Sequence, residues 1–167
     1  SVTTGVENTL IGGLAGDALT DADYNTAIGS LALTADTLGS RTVAIGTGAL
    51  AQQNFTSATN AYNVAVGFSA GTSVTTGVSN TLIGGLAGDA LTSGNSNVAL
   101  GFNALTADTL GDRAVAIGLN ALASQNFASS TDNYNVGVGY QAGYAVTTGV
   151  NNTLIGGLAG DAITTAS

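Results

Sequence analysis

An aliphatic residue followed by glycine, with alanine three places further on, recurs nine times along this chain. The glycines are Gly12, Gly29, Gly46, Gly67, Gly84, Gly101, Gly118, Gly139 and Gly156, spaced 17, 17, 21, 17, 17, 17, 21 and 17 residues apart. Before each comes a brief run, Asn-(Thr/Val)-(Ala/Leu/Gly)-(Ile/Val/Leu). Its asparagine is replaced only twice, by Thr42 and Ala114. Short β-branched runs closed by glycine are strand-like, and a unit of 17 residues is too short for a helical hairpin repeat or a propeller blade. The pattern predicts an all-β chain, a parallel β-solenoid of about nine 17- or 21-residue coils with short strands stacked on their copies. Nine coils at the strand spacing of ~4.8 Å make a rod roughly 43 Å long.

A longer period contains the shorter one. Ser1–Thr20, Ser73–Thr92 and Ala145–Thr164 are nearly identical, each beginning 72 residues after the last. Residues 1–167 therefore read as one solenoid domain of two blocks, 1–72 and 73–144, and a partial third, 145–167. A second glycine ten places after the first (Gly39, Gly77, Gly94, Gly111, Gly149) suggests another corner. The four extra residues of the longer units, around Gln53-Asn54-Phe55 and Gln125-Asn126-Phe127, are expected to bulge as loops.

Within each strand, the positions one and three before the glycine share a face, and the position between them points the other way. That middle column holds Leu10, Ala27, Ala44, Ala65, Leu82, Ala99, Ala116, Gly137 and Leu154, without a polar residue. A strand with water on one side alternates apolar and polar, so this one is expected to be buried on both faces. A thin solenoid has no second layer, and another copy of the chain is the expected cover. Leu10, Leu82 and Leu154, supported by Leu14, Leu86 and Leu158, are then the inter-chain contacts. The alternative is cover by a neighbouring strand of the same coil.

Composition narrows the chemistry. Of 167 residues, 44% are hydrophobic and 7% charged, and there is no Cys, His, Lys, Met, Pro or Trp. Without Cys or His there is no zinc site, disulfide framework or triad of the usual kind, and without Lys no P-loop. Arg41 and Arg113 are the only cations against a net charge of −8, which excludes binding to a nucleic-acid backbone or an anionic membrane surface. No apolar run approaches the ~20 residues that span a bilayer, so no membrane insertion is expected.

The segments Asn97-Val98-Ala99-Leu100-Gly101-Phe102-Asn103-Ala104 and Asn63-Val64-Ala65-Val66-Gly67-Phe68-Ser69-Ala70 resemble the head repeat of trimeric autotransporter adhesins, the YadA-like left-handed parallel β-roll. The variant Tyr24-Asn25-Thr26-Ala27-Ile28-Gly29 is similar to β-roll repeats of phage tail fibres. The resemblance covers all nine units, though the unit here is longer than the adhesins' and no coiled-coil stalk or membrane anchor is seen. It implies three chains packed around a shared axis, a homotrimer that supplies the missing layer.

Other motifs weigh less. The glycine-rich stretches recur at every corner, unlike a phosphate loop. Asp17, Asp89 and Asp161 are weak calcium candidates four coils apart, roughly 19 Å, too far to share an ion within one chain. The asparagine column is expected to form a side-chain ladder, and a threonine column eight residues after the glycine is expected to pair across strands. Paired carboxylates for a glycan hydrolase would have to come from Asp36 and Asp108, or Asp21 and Asp23, all in the repeat rather than breaking it. Phe55 and Phe127 interrupt the repeat and, with Tyr62 and Tyr134, are the candidate partner contacts.

The expectation is a rigid, non-catalytic, extracellular segment of a virion fibre or cell-surface adhesin, with no cofactor. It holds an adhesive tip away from the surface or binds a host glycan or protein multivalently itself. The rival is a subunit polymerising end to end into a filament or sheath, because both ends stop within the repeat without a polar cap. A tailspike-like glycan hydrolase is the minor alternative.

Overall fold

The computed structural model describes residues 2–166. Its strands are Thr9–Ile11 (β1), Thr26–Ile28 (β2), Gly39–Ser40 (β3), Val43–Ile45 (β4), Thr59–Asn60 (β5), Val64–Val66 (β6), Thr81–Ile83 (β7), Val98–Leu100 (β8), Gly111–Asp112 (β9), Val115–Ile117 (β10), Thr131–Asp132 (β11), Val136–Val138 (β12) and Thr153–Ile155 (β13). Among the described residues there is no helix. The nine three-residue strands form one parallel sheet in the order β1-β2-β4-β6-β7-β8-β10-β12-β13. Register follows the repeat: Ala44 faces Ala65, Ala65 faces Leu82 and Leu82 faces Ala99. The chain is a parallel β-solenoid of about nine coils. The four-residue insertions extend it, because they bring β5 onto β3 and β11 onto β9 as two further parallel pairs.

The corner glycine is required twice over. Gly84 has φ +132°, and a Cβ there would lie 2.5 Å from the carbonyl oxygen of Gly101 in the next coil. At Gly46 the corresponding approach is 2.2 Å, to Gly67. Other left-handed corner positions are glycine, such as Gly88 (φ 56°), or residues that carry side chains, such as Tyr24 (φ 60°), Leu86 (φ 58°) and Leu105 (φ 55°). A left-handed residue with a side chain costs roughly 1–2 kcal/mol, and bonds between coils offset this. Tyr24, Leu86 and Leu105 donate their N–H groups to Val6, Phe68 and Ala121, at 3.1, 2.9 and 3.0 Å.

Side-chain ladders add to the stacking. Asn97 Nδ2 donates to the Gly111 carbonyl at 2.9 Å, its Oδ1 accepts from the Ala114 amide at 2.8 Å, and its own amide donates to Asn80 Oδ1 at 3.0 Å. The expected asparagine ladder is therefore present, closing one corner and the next coil with one side chain. Thr92 likewise donates both its amide and its Oγ1 to the Thr109 carbonyl.

The core is narrow and fitted by complementary volumes. Where the middle strand position is leucine, glycine stands opposite: a Cβ on Gly88 would fall 2.8 Å from Leu82, and one on Gly160 2.7 Å from Leu154. Where the strand carries Ala27, Ala44, Ala99 or Ala116, the opposite position is Leu33, Leu50, Leu105 or Leu122, and all eight are fully buried. Either arrangement fills the same cross-section at interior density.

Candidate interaction face

The middle strand column points into the coil. Leu82 is fully buried within one chain, and Leu10 and Leu154 pack against the same core. This corrects the expectation that these three leucines contact another chain: the space across the coil left by Gly16, Gly88 and Gly160 receives them. Leu14, Leu86 and Leu158 do turn outward, on left-handed corner residues, with Leu14 58% exposed.

The outward face of the sheet is apolar as well. It carries the flanking columns, Val43, Val64, Val98, Val115 and Val136 on one side and Ile28, Ile45, Val66, Ile83, Leu100, Ile117 and Val138 on the other, with threonine at Thr9, Thr26, Thr81 and Thr153. Most of these residues are half-buried by their stacked neighbours alone, while Leu100 is 41% exposed. Just around the glycine corner, Phe68, Phe102, Leu119 and Tyr140 stand exposed in a further column. The stripe is roughly 43 Å by 13 Å, about 550 Å² in projection, at the upper end of the largest apolar patch an ordinary monomer shows.

Phe55 and Phe127 are buried, which corrects their assignment as partner contacts. Each belongs to a polar cluster sealed inside its longer coil. Asp36 Oδ1 accepts from the Gly39 and Phe55 amides at 3.0 and 3.2 Å, and its Oδ2 accepts from Gln53 Nε2 at 2.6 Å. Asp108 repeats this with Gly111, Phe127 and Gln125. Burial raises the Asp108 carboxyl above the ordinary aspartate range, and the bonds from Gln125, Gly111, Phe127 and Leu110 oppose that shift only in part. Both carboxyls are fully buried and lie in different coils, four apart. They do not form a solvent-facing pair of the kind that glycoside cleavage uses.

Tyr62 and Tyr134 are exposed. The Arg113 guanidinium lies 5.8 Å from the Tyr134 ring, and that of Arg41 lies 4.6 Å from the ring of Tyr24, which holds the same place in its coil, five residues before the corner glycine. Arg41 Nε also donates to Asn60 at 3.1 Å, and Arg113 pairs with Asp132. Asp17 and Asp89 accept from Thr34 and Thr106 of the following coil, at 2.6 and 2.5 Å. Among the described residues no three acidic side chains gather in one place, and Asp17, Asp89 and Asp161 are not brought together. No helix among those residues is long and apolar enough to cross a membrane.

One sequence signal identifies the inward column. Leucine in mid-strand always accompanies glycine six places later, and leucine at that later place always accompanies alanine in mid-strand. Such reciprocal variation marks two positions sharing one volume. Set against protein-family models, curated proteins and solved structures, the chain matches none of them.

Proposed function

We propose that this chain is a rigid, non-catalytic segment of an extracellular fibre, on a virion or a cell surface, and that three copies pack along the outward face of the nine-stranded sheet. The observation that carries the reading is that face: the column of Leu100 and its isoleucine and valine counterparts is apolar along the whole rod, valine and threonine share the column beside it, and neither has a second layer in one chain. Burying such a stripe stabilises by roughly 25 cal/mol per Å² of apolar surface, and three-fold packing would cover it without an axial joint. The stiffness of stacked ladders suits a spacer that holds a binding tip outward. Three-fold display of exposed side chains such as Tyr62 and Tyr134 suits weak multivalent contact with a host glycan or protein.

Sedimentation analysis tests this. The expected result is a trimer of fixed mass, with Leu100→Asp shifting the species to monomer while the β-sheet circular dichroism persists. A wild-type monomer overturns the proposal, and an open-ended series of masses replaces it with the end-to-end filament.

A further inference from the structure

The chain has no cysteine and no lysine, so neither a disulfide nor a lysine-derived amide can staple it covalently. One buried cluster holds the parts of a different staple. Asp36, Thr42, Gln53 and Asn63 are all fully buried. Gln53 Nε2 donates to Asp36 Oδ2 at 2.6 Å and to Thr42 Oγ1 at 3.1 Å, and Gln53 Oε1 accepts from Asn63 Nδ2 at 2.8 Å. A hydroxyl therefore lies against a carboxamide whose carbonyl oxygen already has a donor where charge would develop. Its nitrogen is already held by the Asp36 side chain, and burial keeps competing water away.

We propose that Thr42 and Gln53 condense to a side-chain ester within the folded coil. Thr42 Oγ1 attacks Gln53 Cδ, and Asn63 Nδ2 stabilises the developing oxyanion. The Oγ1–Cδ bond forms, the Cδ–Nε2 bond breaks, and the hydroxyl proton passes to the departing nitrogen, which lies 3.1 Å from Oγ1 and is held by Asp36 Oδ2. Ammonia leaves, and no oxidant, reductant or cofactor is consumed. The ester ties two residues eleven apart in sequence across the start of the longer coil, where the asparagine ladder is interrupted by Thr42.

The second block is an internal control. Gln125 Nε2 donates to Asp108 Oδ2 at 2.6 Å and Asn135 Nδ2 to Gln125 Oε1 at 2.8 Å, as in the first block. Ala114 stands where Thr42 does, so the nucleophile is missing while the aspartate, glutamine and asparagine of the cluster are all kept. Its fold also indicates that Thr42→Ala will be tolerated.

Intact-mass measurement of the purified chain tests the proposal. Wild type is expected to weigh one ammonia less than its sequence. Cleavage after Arg41 and Arg113 confines the deficit to peptide 42–113, which yields no backbone fragments between Thr42 and Gln53. Thr42→Ser is expected to keep the deficit and Thr42→Ala to abolish it. Mild alkali is expected to open the ester and leave glutamate at position 53. A wild-type chain of full sequence mass overturns the proposal, and so does an ammonia deficit that persists in Thr42→Ala.

Discussion

At the residue scale, single atoms decide whether a coil can stack. Gly84→Ala places a methyl on a backbone at φ +132° and 2.5 Å from the Gly101 carbonyl, and the expected loss is about 3 kcal/mol or more. Gly13 meets nothing within 4 Å, so Gly13→Ala is expected to change stability by no more than about 0.5 kcal/mol. Chemical denaturation of the two variants checks the pair, and equal losses would show that the corner is not the constraint. Asp108 supplies a pH dependence. Its raised carboxyl value means that the folded state holds the proton more tightly than the unfolded chain. Its contribution is most favourable below the ordinary value of 3.8 and is lost as pH climbs through the raised one. The melting temperature of Asp108→Asn relative to wild type is therefore expected to rise between about pH 3 and pH 7, and a difference that stays flat or falls refutes the assignment. The asparagine and glycine columns were legible because each repeats a role that one residue type performs best. The burial of Phe55 was not, because its partner Asp36 lies 19 positions away in sequence and meets it only once the coil closes.

At the scale of the element, the strand reads correctly in place and period but not in the direction its faces look. Both faces are apolar, so alternation gives no sense of inside and outside. Size settles the matter: a narrow coil admits alanine, or leucine opposite glycine, while the broader β-branched residues go outward, where pleated neighbours shield them. Leu82→Ala is expected to cost about 2–5 kcal/mol, which a surface contact would not. Ala116→Leu alone should cost about 1–3 kcal/mol through overpacking. Combined with Leu122→Gly it recreates the Leu82–Gly88 fit, and a double-mutant cycle is expected to give a favourable coupling of about 1 kcal/mol or more. Additive losses would show that the two positions do not share one volume.

At the scale of the whole molecule, coils contact only their neighbours, so stability accumulates nearly coil by coil. Deleting residues 21–92 joins Thr20 to Ser93 and reproduces the existing Thr92–Ser93 junction. The shortened rod is expected to fold with the same strand register and a lower melting temperature, as circular dichroism and hydrogen exchange would report; failure to fold would mean that the blocks are not interchangeable. The core fits also follow the same order in the first three coils of both blocks, Leu10–Gly16 then Ala27–Leu33 and Ala44–Leu50, and Leu82–Gly88 then Ala99–Leu105 and Ala116–Leu122, and the fourth coil sets a small residue against glycine in each, Ala65–Gly71 and Gly137–Gly143. Gain or loss of one whole block therefore leaves every seam between coils as it was. Unequal recombination between such similar blocks would change the length of the rod in steps of about 19 Å while its flanks keep the same chemistry, so a lineage can adjust how far the solenoid extends without redesigning what it is made of.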